Sequence, residues 1–197
     1  MPNYAVIRCT TTCLRRKARE IIDTYHSYIK WADRPSRKLY WLLTIDNEPV
    51  GAFGLGSAFA RPKAVKAFMN EHDIAFNEMA NNIVYCLKPD LPKNSGTRFL
   101  AQARRDAVHW WYDRYSDTLK VFQCFVLPPR TGAVYKADNW ECIGTTSGNS
   151  YKTESLYGDD PRKEKSDRYV SARTGEVKYL LRQPQQVQPK LIFMRHA

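Results

Sequence analysis

Apolar residues come in short bursts separated by charged or proline-containing gaps, and the spacing within each burst predicts an element. Residues 4–8 (Tyr-Ala-Val-Ile-Arg) predict an opening strand. Residues 14–28 have helical spacing, with Leu14, Ala18, Ile21, Ile22 and Tyr25 on one face and Arg15, Arg16, Lys17 and Arg19 on the other. Two apolar runs, 39–45 and 49–55, flank Asp46-Asn47-Glu48 and predict a hairpin in the middle of a sheet. Residues 61–75 are polar with a helical middle (Ala64, Val65, Ala67, Phe68), a lid or a connector. Residues 81–87 predict a core strand entered through Asn81 and Asn82. Buried asparagines must be hydrogen-bonded, so this pair either ties a loop or faces a ligand.

The second half repeats the alternation. A donor-rich loop over 93–98 precedes a helix over 99–115 that buries Phe99, Leu100, Ala103, Ala107, Trp110 and Trp111 and turns Arg104, Arg105 and Arg114 outward. A strand over 119–127 stops at Pro128-Pro129, a turn and short helix occupy 131–138, and a last strand follows at 140–144. Such a β–loop–α–β unit leaves backbone N–H groups pointing out of a helix N-terminus, where a phosphate can sit. Past residue 145 the composition changes. Residues 145–150 read as flexible, 159–167 mix both charge signs, 169–181 predict a hairpin turning at 173–176, and 183–189 read as a linker. The expectation is an α/β domain over 1–148 and a partly ordered basic extension over 149–197.

Charge and composition narrow the class. With 43% hydrophobic and 13% aromatic residues in 197, the chain has enough apolar surface for a sizeable core. A net charge of +11 points to a polyanionic partner, most simply nucleic acid. No run approaches the ~20 apolar residues that span a bilayer, and no signal-peptide core is present, so the expected compartment is the cytoplasm, that of a host if the chain is phage-encoded. The five cysteines (Cys9, Cys13, Cys86, Cys124, Cys142) are odd in number and lack Cys/His partner pairs, so they are expected to be reduced thiols.

Two groups of residues hold candidate chemistry. His26 closes the first helix among Tyr25, Tyr28 and Trp31, rings that can stack on a base, and is either structural or catalytic on its own terms. Gly51, Gly54 and Gly56 lie inside an apolar strand, where close backbone packing accounts for them as well as a nucleotide loop does.

The chain order resembles the GNAT acyltransferase fold, a mixed central sheet flanked by helices. In that fold the fourth strand leads into a loop holding the pyrophosphate of acetyl-CoA. Lys93-x-x-Gly96-x-Arg98 matches that loop in part, with Arg98 in place of a final small residue. A nearer resemblance is to the phage Mu Mom-type DNA modification proteins. It rests on His26 with Tyr28, on Val50-Gly51-Ala52-Phe53-Gly54, on the 91–95 loop, and on Gly132-x-x-Tyr135-x-Ala137-x-Asn139-Trp140-x-x-x-Gly144. The last signature is shared with the Druantia defence protein.

This resemblance implies transfer of a carbamoylmethyl-like group to adenine N6 in double-stranded DNA, shielding the DNA from restriction. It implies His26 as general base or metal ligand beside Tyr28, Tyr135 in the position of a general acid, and Asn139 as a base-edge or donor contact. Lys93, Asn94, Ser95, Gly96 and Arg98 would form the donor loop, for acetyl-CoA or a related acyl donor. Arg15, Arg16, Lys17, Arg130, Lys136 and Trp31 would meet nucleic acid, iron is an implied cofactor, and a homodimer is left open. The rival expectations are a non-catalytic nucleic-acid-binding defence protein and an N-acetyltransferase acting on a protein or small amine.

Overall fold

The structure is a computed structural model and describes residues 2–26, 37–170 and 175–197. The chain forms two units, one of residues 1–145 with 190–197 and one of residues 146–189.

The first unit is built on β1 (Tyr4–Arg8), α1 (Thr12–Tyr25), β2 (Lys38–Ile45), β3 (Glu48–Ser57), α2 (Lys63–Glu71), β4 (Met79–Leu87), α3 (Ser95–Tyr115), β5 (Val121–Val126), α4 (Ala133–Ala137) and β6 (Glu141–Thr145). The hairpin of β2 and β3 closes through Asp46 and Asn47 at φ 51° and 68°, the left-handed turn that matches strand twist. Side chains alternate across the sheet as strand geometry requires. Leu39, Trp41 and Leu43 join Phe53, Phe99 and Trp111 in the core under α3, whereas Tyr40 and Leu42 join Ala18, Ile21 and Ile22 under α1. α2 lays Val65 and Phe68 against Met79 and Val121. Among the described residues no helix is long and apolar enough to cross a membrane.

The glycines of β3 are a packing device. A Cβ at Gly51 would lie 2.6 Å from Leu87, at Gly54 2.7 Å from Tyr40, and at Gly56 2.9 Å from Ile83. All five cysteines are free, with Cys9, Cys86 and Cys124 buried.

Two expectations are corrected. Arg104 does not point outward; it is buried against Asp138, because position 104 falls on the same helical face as Leu100, Ala107 and Trp111. Nor does the sequence past residue 148 stay outside the domain. Residues 191–196 form β10 (Leu191–His196), which inserts between β5 and β6 and buries Ile192, Phe193 and Met194. The seven strands run β1-β2-β3-β4-β5-β10-β6, antiparallel except for the parallel β4–β5 pair. Without β10, β5 would present an open edge of backbone donors and acceptors.

The second unit is an insertion between β6 and β10. Its sheet has the order β7-β9-β8, from β7 (Asn149–Leu156), β8 (Asp167–Val170) and β9 (Val177–Gln186). The hairpin expected over 169–181 is the β8–β9 pair. The expected linker is instead the second half of β9, where Pro184 faces Tyr151 of β7. β8 reaches only to Leu180, so Pro184 has a free flank and its missing N–H breaks no ladder.

Candidate active site

The site begins where two parallel strands part. β4 and β5 pair only from Met79↔Val121 to Asn82↔Cys124, yet β4 runs on to Leu87 and β5 to Val126. The cause lies on the other flank of β4: pairing with β3 shifts from Leu55↔Asn82 to Gly54↔Val84, leaving Ile83 as an extra residue. A bulge bends its strand. The opening is a cavity of about 460 Å³ lined by His26, Asn82, Tyr85, Cys124, Arg130 and Tyr135, with apolar walls from Val84, Phe125 and Val134.

His26 arrives from the α1 side. It caps the helix with extended backbone, its N–H donating to the Ile22 carbonyl at 3.0 Å, and its side chain lines the cavity. Tyr135 arrives from the α3 and α4 side. Gly132 starts α4 at φ 71°, where a Cβ would overlap the Phe193 ring. Tyr135 then stacks on Phe193 at 5.7 Å and meets Trp140 edge-on at 5.1 Å. Beneath them Asp138 accepts from Arg104 Nε at 3.0 Å and from Trp140 Nε1 at 2.8 Å, fixing α4 to α3 and to the start of β6.

Asn82 stands at the apex of the opening. Its Nδ2 donates to the carbonyls of Gly54 (2.9 Å) and Val84 (2.8 Å), and its Oδ1 accepts from the Tyr135 hydroxyl at 2.6 Å. Of the two roles open to the Asn pair, Asn82 therefore ties the bulge and also faces the cavity. Burial pushes the Cys124 thiol up to about 12, against a hydrogen bond with Tyr135. At neutral pH it is a protonated, poor nucleophile. Burial also raises Tyr85, with the charges of Cys86 and Asp138 adding to the effect, so its phenol stays a donor.

The 93–98 loop lies beside this cavity rather than in its lining. The Tyr85 hydroxyl donates to the Gly96 carbonyl at 2.7 Å, and a Cβ at Gly96 would lie 2.9 Å from that oxygen. Asn94 turns left-handed at φ 66° and makes no side-chain cap, which leaves the first turn of α3 without one. Ser95 is buried, its hydroxyl donating to the Pro92 carbonyl at 2.7 Å and meeting Tyr4 at 3.2 Å; it is a loop tie. The Arg98 guanidinium sits over the Tyr4 ring at 4.3 Å, and Lys93 is exposed.

The remaining expected residues are scattered. Asn139 is exposed at φ 57° after α4, its carbonyl accepting from Arg195 at 2.9 Å, and it does not line the cavity. A left-handed residue at that helix end accounts for it. Arg130 lines the cavity, and Lys136 is exposed on α4. Of the basic α1 residues, Arg15 donates to the Cys9 carbonyl at 3.2 Å, Arg16 lies 4.0 Å from Glu20, and Lys17 is exposed. Tyr28 and Trp31 lie outside the described residues.

Among the described residues no group of three or more His, Cys, Asp or Glu side chains could hold a metal ion. His72 and His196, distant in sequence, do bring their rings within 5.0 Å, but as an edge-to-face pair against Phe68.

No family model matches the chain, and no curated protein matches it. Solved structures do. The ribosomal-protein-S18-alanine N-acetyltransferase from Escherichia coli aligns at a TM-score of 0.54 and 10% identity, over 100% of this chain and 94% of that one. The fold is that of the GNAT acetyltransferases. An N-acyl amino acid synthase from uncultured soil microbes aligns at 0.52 and 12% identity over 100% and 92%, and the IAA acetyltransferase from Bacillus cereus ATCC 14579 at 0.50 and 10% over 99% and 100%. In this GNAT-like sheet β10 fills the place between β5 and β6, and residues 146–189 are inserted in the chain between β6 and β10.

Proposed function

We propose that the chain is a group transferase whose donor is an acyl thioester of the acetyl-CoA type and whose acceptor is an amine, the adenine N6 of double-stranded DNA. The observation that carries the transferase reading is the parting of β4 and β5 into a cavity with His26 on one side and Tyr135 on the other. Past Asn82 the β4 backbone has no β5 partner, so its amides are available to the amides of a pantetheine arm. Arg130 and the uncapped first turn of α3 suit the donor's phosphates.

The chemistry needs one proton path. The amine attacks the thioester carbonyl, a C–N bond forms and the C–S bond breaks. His26 takes the proton the nitrogen sheds, and the sulfur leaves as a thiol. Adenine N6 is a poor nucleophile, its lone pair delocalised into the ring, so close register and a base are both required. The base must leave the stack to reach the cavity, and a protein of net charge +11 can hold the flanking phosphates through Arg15, Arg16, Lys17 and Lys136. A modified N6 no longer presents the edge a restriction enzyme reads, which is the protection the Mom-type resemblance implies. The second reading, an amine on a protein or small molecule, is favoured by the similarity to a ribosomal-protein N-acetyltransferase.

The test is the nucleoside mass of plasmid DNA from cells expressing the protein. The expected result is deoxyadenosine of increased mass, lost on His26→Ala by a factor of roughly 10² to 10⁴ in rate. Unchanged nucleosides with wild-type protein that binds acetyl-CoA would overturn the DNA acceptor and leave the amine reading.

A further inference from the structure

A buried amide holds a surface ring beside the cavity. Gln123 of β5 is fully buried. Its Oε1 accepts from the Phe59 N–H at 2.9 Å and its Nε2 donates to the Phe59 carbonyl at 3.1 Å, so one side chain satisfies both backbone groups as a strand neighbour would. The chain leaving β3 at Ser57 is thereby tied across β4 to β5. Alternation along β5 sets Phe125 with Val121 on the α2 side, away from Phe122 and Cys124 under α3. That side of the sheet is also the one α1 covers, and His26 comes from the end of α1. The Phe59 and Phe125 rings meet edge to face at 5.9 Å, and Phe125 lines the cavity together with His26. Phe59 therefore stands one ring outward from the cavity wall, and it remains 44% exposed. A lone exposed apolar side chain is ordinary. A ring whose backbone is held by a fully buried amide, next to a cavity wall, is a prepared contact.

We propose that Phe59 is the ring on which the acceptor stacks, and that the acceptor is a planar aromatic amine of the nucleobase class rather than an aliphatic amine. Stacking uses the flat face that every base has, and it leaves the exocyclic nitrogen free at the edge of the ring. That edge is the part that must reach His26 and the thioester. The Arg61 guanidinium lies 5.7 Å from the Phe59 ring centre on an exposed side chain, so it can swing aside for the base and meet the phosphate that comes with it. The inference rests on the transferase reading for the reaction that follows but not for the stacking, and the two arms of the test separate them.

The first arm needs no donor. Full-length protein is titrated with two DNA duplexes of one sequence, one fully paired and one with a single adenine opposite an abasic position. An unpaired base costs less to extrude, so the wild type should bind the second duplex more tightly. Phe59→Leu keeps an apolar group against Phe125 but offers no flat face. It should lose roughly tenfold in affinity for the unpaired adenine, within the worth of one stacked base, and far less on the paired duplex. Phe59→Trp should restore the preference. An unchanged preference in Phe59→Leu, or an equal loss on both duplexes, overturns the stacking role.

The second arm needs no DNA. Thiol release from acetyl-CoA is followed with aniline and with cyclohexylamine, amines of similar size of which only the first is flat. The KM for aniline should be the lower, and Phe59→Leu should raise it by roughly fivefold with kcat little changed. No thiol release with either amine or with DNA counts against the transferase reading, and the first arm then decides the stacking alone. A wild type that binds neither duplex and shows no preference for the flat amine overturns the proposal.

Discussion

Arg104 and Asp138 form a buried ion pair in the first unit. Both are nearly buried, at 6% and 8% exposure, and Trp140 and Arg195 also reach the same carboxylate. Removing Arg104 leaves the buried Asp138 carboxylate only Trp140 and the more distant Arg195, and breaking a buried pair costs up to about 3 to 5 kcal/mol. Arg104→Ala should therefore shift the urea midpoint strongly downward, whereas Arg105→Ala, on the exposed face, should leave it nearly unchanged. Asp106 is a smaller case with a pH signature. Burial raises its carboxyl, but bonds from Arg8 at 2.8 Å and Trp41 at 2.7 Å outweigh that and hold it below its ordinary value. A carboxyl depressed in the folded state stabilises above its unfolded pKa near 3.9 and loses that contribution as pH falls through the folded value. Urea midpoints compared at neutral pH and about pH 3 should show Asp106→Asn narrowing the gap between the two conditions.

At the scale of elements, periodicity carried far. Leu14, Ala18, Ile21 and Ile22 mark the packed face of α1, and the glycines of β3 fit close packing as their strand setting suggested. What periodicity could not carry was pairing at a distance. Residues 191–194 are an apolar run that follows a Gln/Pro-rich stretch, and nothing local says that β5 and β6 leave a gap for them. Arg104 is illegible for a related reason: a charged residue reads as surface until its partner, Asp138, is placed beside it. β7 has the sequence Asn-Ser-Tyr-Lys-Thr-Glu-Ser-Leu, with no alternation to read, and becomes a strand only through β9. The importance of β10 is testable through Phe193, which is fully buried and stacks on Tyr135. Phe193→Ala should cost about 3 to 5 kcal/mol by chemical denaturation.

At the scale of the whole molecule, the candidate site was half legible. His26 and Tyr135 share one cavity, and Gly96 abuts its wall through Tyr85. Ser95, Arg98 and Asn139 look like site residues in sequence because polar side chains beside glycines are what binding loops contain. In the fold Ser95 ties its loop, Arg98 lies over the Tyr4 ring and Asn139 takes a left-handed backbone turn after α4. Asn82, the residue on which the apex turns, carried only the general signal of a polar group inside an apolar strand. The net charge of +11 belongs to this scale too: with duplex DNA as the proposed acceptor, its binding should weaken steeply with salt.

The gap between β4 and β5, as the proposed donor site, is tested most directly by calorimetric titration with acetyl-CoA. Ala133 lines the cavity from an exposed position at the start of α4, so Ala133→Trp fills the mouth without disturbing the core. Wild-type protein should bind acetyl-CoA, and Ala133→Trp, folded to the same melting temperature, should bind it at least about tenfold more weakly, a loss of about 1.4 kcal/mol. Equal affinity in the two proteins, or no binding by the wild type, would contradict a donor site in this gap.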